Sequence, residues 1–281
     1  MRYGRGVILL LLVSACGAQH GGDGREAATQ AAEGSPEWIV EQFFLADTFP
    51  ARERYLGGEM AEHDADAPTL GSTLPANVRG VYRRLEQSGG RAVFAVTLTD
   101  GKHANDWYAY LSEGEGGWTL DAVRTLALPP FFYLRMDSLS RAASLTESAA
   151  MALENMRLTV QSDSMLKAYF AENAAELEAL SEEFRALPAL RTARADGTTD
   201  PEAPPGAASA EITRRLRALR LSAIYRDPQH PGCIFVSIGG VLDNQVGYIH
   251  APDGCAVPSM DPSSFIYVEQ VREGWYLFKT T

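Results

Sequence analysis

The spacing of apolar and polar positions divides the chain into helical and extended regions. Apolar residues at helical spacing predict a helix near residues 36–47 and further helices within 136–190, where Ser162 is a natural N-cap. Alternating positions separated by glycine-rich turns predict four strands within 78–128 and five within 222–280. We therefore predict an α+β fold with an N-terminal helix plus antiparallel meander, central helices and a small C-terminal all-β module.

The same pattern predicts the order of segments along the chain. These are a signal peptide (1–15), a lipidated flexible tether (16–35), an α+β antiparallel-sheet domain (36–135), a helical segment (136–190), a linker (191–210) and a helix plus small β module with a disulfide (211–281). The linker is predicted because it contains several prolines and few large apolar side chains. The helix followed by a meander is similar to cystatin-like and NTF2-like modules.

The N-terminal segment has the features of a secretory signal. Arg2 and Arg5 precede a short apolar run, which is too short to cross a bilayer because crossing takes about 20 residues. The run ends in VSAC at Cys16 and resembles the lipobox of bacterial lipoproteins. That resemblance implies cleavage before Cys16, acylation of this residue and, with Gly17 following it, an outer-membrane location in a Gram-negative bacterium. The alternative is an ordinary signal peptide that ends near a cysteine.

The two other cysteines form an even pair once Cys16 is set aside as the lipid site. An exported protein meets an oxidising compartment, so we predict a disulfide between Cys233 and Cys255. An alternative is a tetrahedral zinc site, in which His230 and His250 would complete the ligand set with the two thiolates.

Charge restricts the possible partners. The chain has 25 basic and 36 acidic residues and a formal net charge of −11, which repels nucleic-acid phosphates. We therefore predict no nucleic-acid partner. A membrane reached through the lipid anchor and an envelope protein or glycan are the predicted partners. The sequence contains no P-loop, GxGxxG turn, GxSxG elbow or HExxH helix, so no cofactor is predicted.

One serine and lysine pair has the spacing of a catalytic motif. Ser164 and Lys167 in SMLK match the SxxK of penicillin-binding enzymes and class A β-lactamases, and Lys279 in KTT is similar to their KTG strand. The resemblance implies a nucleophilic Ser164 assisted by Lys167. Thr281 stands where that family has glycine, and the motif is short enough to occur by chance on a polar helix.

Aromatic and histidine side chains on the third predicted strand suggest a ligand groove. Tyr108 and Tyr110 share one face of the strand, opposite Trp107. His103 lies in the preceding hairpin loop with Asp100. These residues either line a groove for a sugar or peptide, or form a solvated turn and a packed sheet face.

The order of elements also resembles that of bacterial lipoprotein families of unknown function. This resemblance implies no particular activity. We predict a lipid-anchored cell-envelope protein of non-enzymatic type with a binding or structural role. Two alternatives are an envelope hydrolase or peptidoglycan-active enzyme, and a protective, immunity-type lipoprotein that inhibits a toxin or lytic enzyme.

Overall fold

A computed structural model describes residues 31–198, 207–252 and 254–281. These residues form a mixture of helices and two antiparallel sheets, which confirms the α+β class. The signal segment and Cys16 lie outside the described residues, as do residues 199–206 of the predicted linker. Acylation at Cys16 therefore stays a prediction.

Seven α-helices and one 3-10 helix lie within the described residues. They are α1 (Pro36–Phe44), α2 (Gly58–His63), α3 (Leu70–Thr73), α4 (Pro130–Arg141), α5 (Glu147–Thr159), α6 (Asp163–Arg185) and α7 (Ala207–Ala218), with a 3-10 helix at Arg52–Arg54. The Ser162 hydroxyl accepts a hydrogen bond from the Met165 amide at the start of α6, which confirms this residue as the N-cap. Ser35 caps α1 in the same way.

The first sheet is a meander of β1 (Arg79–Ser88), β2 (Arg91–Thr99), β3 (Ala104–Gly114) and β4 (Gly117–Arg124). Its strands pair in sequence order, as the turns between them predict. One face packs against α1, where Ile39, Val40 and Phe44 contact buried side chains such as Phe94 and Leu120. The predicted helix-on-meander unit is therefore present.

The second sheet contains β5 (Thr192–Arg194), β6 (Ala223–Tyr225), β7 (Ile234–Val241), β8 (Asn244–His250), β9 (Tyr267–Arg272) and β10 (Trp275–Lys279). The strand order is β5-β6-β7-β8-β10-β9, and neighbouring strands are antiparallel. Helices α6 and α7 cover the inner face of this sheet, which carries Ile224 and Val236. The opposite, outer face carries Tyr225, Phe235 and Ser237.

Three local differences from the sequence prediction have clear causes. The predicted linker contains β5, which is short but buries Ala193 fully and pairs it with Ile224. Helix α4 begins at Pro130, because proline is favoured in the first helical turn even though it ends a strand. The polar connection after α1 contains α2 and α3.

The two sheets share one hydrophobic core. The second face of the first sheet packs against α6 and the C-terminal strands through buried side chains that include Tyr108, Tyr110 and Tyr267. The Tyr108 and Tyr267 rings stack with centroids 4.9 Å apart, and the Tyr110 hydroxyl donates a hydrogen bond of 2.8 Å to the Ile266 carbonyl. The two predicted modules therefore stabilise each other.

Candidate functional site

A cleft of about 610 Å³ lies between α4, α5 and the outer face of the second sheet. Its volume falls within the range of about 300–1,000 Å³ that is usual for small-molecule sites. Residues of β5, β6 and β7 form its floor, and α4 and α5 form one wall. The β7–β8 hairpin contributes the rim.

A glycine on β7 allows the wall to approach the floor. A Cβ atom at Gly239 would lie 2.3 Å from the Thr159 Oγ1 atom and 2.9 Å from the Asn155 Oδ1 atom, so only glycine fits beneath α5. The pairing register with β8 shifts between Ser237 and Gly239, at a bulge. The Asn155 side-chain amide donates to the Ile238 carbonyl at this bulge, which fixes α5 against the strand.

The floor of the cleft is lined by small and polar side chains. The Ser222 hydroxyl lies 3.0 Å from the Ser237 hydroxyl, and the Tyr225 hydroxyl donates to Gln245 over 3.3 Å. Burial raises the pKa of Tyr225, so its hydroxyl stays protonated at neutral pH. The floor therefore presents neutral hydrogen-bonding groups.

Two arginines give the cleft a positive charge. Arg135 on α4 and Arg194 on β5 line it, and both residues are exposed. Neither guanidinium group lies within 4.0 Å of an acidic group on the described residues. On the same helix, Arg141 pairs with Asp137 instead. Since the whole chain is acidic, these arginines form a local site that attracts anions.

The rim of the cleft is apolar and exposed. Phe131 is 59% exposed and Leu242 is 88% exposed, whereas Met156 and Phe132 form the buried base of the helical wall. Leu242 occupies the hairpin turn with φ of 58°, a left-handed conformation that is costly for a residue with a branched side chain. The cleft therefore combines neutral polar groups, two arginines and an apolar rim.

A second polar cluster, formed by Asp106, Asp163 and Lys279, is buried between the two sheets. The Lys279 ammonium group lies 2.8 Å from an Asp163 oxygen and 3.7 Å from an Asp106 oxygen. The Tyr108 hydroxyl donates to Asp163 over 2.8 Å, and the Thr97 hydroxyl donates to Asp106 over 2.6 Å. Burial lowers the pKa of Lys279, but the two carboxylates outweigh it and raise this pKa, so the lysine remains charged. The cluster joins β3, α6 and β10.

The two predicted cysteines form the expected disulfide. Cys233 and Cys255 are bonded, with their Cα atoms 5.0 Å apart. Their sulfur atoms are therefore not available as thiolate ligands, and the alternative zinc set is not assembled. His230 packs against aromatic rings beside the disulfide, whereas His250 is hydrogen-bonded to Ser181 of α6.

The residues of the predicted groove are already occupied by protein contacts. Tyr108 and Tyr110 are buried between the two sheets and are not available to line an open groove. The His103 imidazole lies in the hairpin turn, 3.2 Å from the Asp100 carboxylate. Backbone amides of His103 and Lys102 lower the pKa of Asp100 to about 2, which is typical of a tight Asx turn.

Ser164 and Lys167 of the SxxK motif each contact a different residue. Lys167 pairs with Glu269 at 2.8 Å, while the Ser164 hydroxyl lies on the exposed side of α6, 3.0 Å from the Ser162 hydroxyl. Lys279 belongs to the buried cluster instead. The structure does not bring these residues together as a nucleophile and base.

Sequence reasoning missed both cleft arginines. The one available signal was the run FFYL at 131–134, which places apolar side chains all around the first turn of α4. Such a turn cannot bury every apolar side chain in one direction, and Phe131 and Leu134 are indeed exposed.

Comparison of the chain with protein families, curated proteins and solved structures finds no match in any of the three. Within the described residues, none of the helices combines the length and apolar character needed to cross a bilayer.

Proposed function

We propose that this chain is a lipid-anchored cell-envelope protein of non-enzymatic type that binds an amphipathic anion in the cleft between α4, α5 and the second sheet. The observation that carries the proposal is the combination of Arg135 and Arg194 with the exposed apolar rim at Phe131 and Leu242. The ligand would carry a phosphate or carboxylate together with an alkyl or aromatic group.

The charges of the cleft support the anionic part of the ligand. A guanidinium group offers a planar fork of donors that matches phosphate and carboxylate oxygens. Arg135 and Arg194 have no acidic partner within 4.0 Å among the described residues, so a ligand would not have to displace an existing ion pair there. The Ser222, Ser237 and Tyr225 hydroxyl groups add neutral hydrogen-bonding positions on the floor.

The composition of the lining supports binding rather than catalysis. Its described members include arginine, serine, threonine, tyrosine and amide side chains but no histidine, aspartate or glutamate. General-base catalysis most often uses one of those three residue types. The site therefore has groups that recognise charge and shape, with no usual acceptor for a substrate proton.

The envelope location is supported by the VSAC sequence at Cys16 and by the disulfide between Cys233 and Cys255. Incorporation of radiolabelled palmitate in the native host tests it. We expect the label on the wild-type chain and none on the Cys16→Ala variant, which should also leave the membrane fraction. Equal fractionation of the two chains would contradict the anchor.

Isothermal titration calorimetry with dodecyl phosphate, and with dodecanol as its neutral counterpart, tests the cleft. We expect dodecyl phosphate to bind and dodecanol to bind at least 10-fold more weakly. Replacing Arg135 and Arg194 together by alanine should weaken dodecyl phosphate by about 10-fold or more, because charged hydrogen bonds contribute about 1.5–3 kcal/mol each.

Arg141→Ala is the matched control, since Arg141 lies on the same helix and pairs with Asp137 outside the cleft. This variant should bind dodecyl phosphate as the wild type does. The proposal fails if the double variant binds dodecyl phosphate unchanged, or if dodecanol binds equally well.

A further inference from the structure

We propose that Glu178, Glu182 and His250 form a binding site for a divalent transition-metal ion, with Zn²⁺ as the best-fitting representative. One ligand atom from each of these side chains lies within 4.8 Å of the others. The site lies between α6 and the end of β8, on the side of the second sheet opposite the cleft. It shares only His250 with the zinc set considered from the sequence.

The histidine ring is held in a fixed position. It stacks on the Trp275 indole with centroids 4.6 Å apart and an interplanar angle of 10°. Its Nδ1 atom lies 2.7 Å from the Ser181 hydroxyl, and the residue is only 7% exposed. A metal-bound histidine usually has a partner of this kind on its other ring nitrogen, which sets the tautomer and the ring orientation.

The second ring nitrogen points at the acidic groups without a hydrogen bond. The nearest acidic atom to His250 Nε2 is the Glu178 Oε1 atom at 3.7 Å, which is too long for a hydrogen bond. When Nδ1 carries the ring proton and donates it to Ser181, the lone pair of Nε2 is available to coordinate a cation.

The two glutamates are oriented by the helix. Glu178 and Glu182 are four residues apart on α6, so their carboxylates project from the same side. The Trp275 indole nitrogen donates to the Oε2 atom of Glu178 over 3.0 Å, and Arg272 pairs with the same oxygen. The other carboxylate oxygen of Glu178, Oε1, lies 3.7 Å from the His250 Nε2 atom.

The arginines around the site contact the outer carboxylate oxygens. Arg185 pairs with Oε2 of Glu182 as Arg272 does with Oε2 of Glu178, which leaves Oε1 of each glutamate for a metal. This arrangement provides a second shell that orients the carboxylates while partly offsetting their negative charge. A divalent ion would be held by two carboxylates and one imidazole, with water completing the coordination.

The donor set selects the class of ion. Imidazole binds Zn²⁺ and similar transition metals, whereas Mg²⁺ prefers oxygen ligands and retains its water. Zinc bonds of about 2.0–2.2 Å place tetrahedral donors about 3.3 Å apart. The ligand atoms lie within 4.8 Å of one another, so zinc binding would draw the two partly exposed glutamate side chains closer to His250.

Calorimetric titration of the untagged chain with ZnCl₂ tests the site. We expect one Zn²⁺ per chain and at least 10-fold weaker binding in both Glu182→Gln and His250→Gln, with Mg²⁺ binding far more weakly than Zn²⁺. Glu172→Gln is the matched control, because Glu172 is an exposed glutamate on the same helix. It should bind Zn²⁺ as the wild type does.

Glu182→Gln should fold normally, because the Glu182 side chain is 42% exposed. Its substitution leaves the contacts of His250 with Trp275 and Ser181 intact. Its thermal midpoint without metal should match that of the wild type. Zinc binding that persists at full strength in Glu182→Gln and His250→Gln places the ion elsewhere and overturns the proposal. So does equal affinity for Mg²⁺, or equal weakening by Glu172→Gln.

Discussion

Lys279 and the two cleft arginines carry the same charge in opposite environments. Lys279 is 3% exposed and lies between Asp163 and Asp106. Arg135 and Arg194 are exposed beside a cleft and make no ion pair with a described residue. A buried charge is tolerated only when its partners replace water, whereas a charge at an open cleft stays hydrated until a ligand arrives.

This contrast separates a structural role from a binding role. The Asp106, Asp163 and Lys279 cluster uses its charges to hold three elements together. Arg135 makes no ion pair with a described residue, and Arg194 acts on Asp196 only from beyond ion-pair distance, so both guanidinium groups can still contact a ligand. We expect substitutions in the cluster to change stability and substitutions in the cleft to change binding.

The largest effect should come from Lys279→Met. Methionine keeps the volume of the side-chain stem but leaves two buried carboxylates facing each other without a cation. Removal of one member of a buried ion pair costs about 3–5 kcal/mol in the free energy of unfolding. Urea denaturation measures this change. Lys102→Met, at an exposed turn, is the control and should stay within about 0.5 kcal/mol of the wild type.

A loss below about 1 kcal/mol in Lys279→Met would mean that the two carboxylates accept protons or water at little cost, and the cluster would then not be a structural unit.

A smaller effect is expected when one donor to the cluster is removed. Tyr108→Phe keeps the stacked ring but deletes the hydroxyl that donates to Asp163, which should cost about 1.5–3 kcal/mol because the acceptor is charged. Tyr110→Phe is the matched comparison. Its hydroxyl donates to the neutral Ile266 carbonyl, and its loss should cost about 0.5–1.5 kcal/mol.

The difference between these two variants in the same denaturation series is the informative quantity. If Tyr110→Phe were as destabilising as Tyr108→Phe, the charge of the cluster would contribute nothing beyond an ordinary hydrogen bond.

Much of the fold could be predicted from the sequence because local patterns specify it. Alternating residues and glycine turns predict the meander, Ser162 predicts the start of α6, and an even pair of cysteines predicts the disulfide. The strand and cap signals each lie within a few neighbouring residues. The disulfide prediction depends on the rule that paired cysteines are oxidised in exported proteins.

The buried cluster and the cleft could not be predicted, because their members are far apart in the sequence. Asp106, Asp163 and Lys279 come from a strand, a helix start and the last strand, and only the packing of the two sheets brings them together. Strand β5 was missed because it has three residues and gains its stability from pairing with β6 rather than from its own composition.

The smallest effect on stability should come from the cleft arginines. Arg135→Ala and Arg194→Ala remove exposed charges without an ion-pair partner among the described residues, so each should change the free energy of unfolding by less than about 0.5 kcal/mol. The same variants should weaken dodecyl phosphate in calorimetry. Stability and binding would then respond to separate sets of cations, with Lys279→Met lowering the denaturation midpoint while the arginine variants keep it. If either arginine variant lowered the free energy of unfolding by more than about 1 kcal/mol, the charge of that arginine would be used within the fold. The main support for an anionic ligand in the cleft would then be removed.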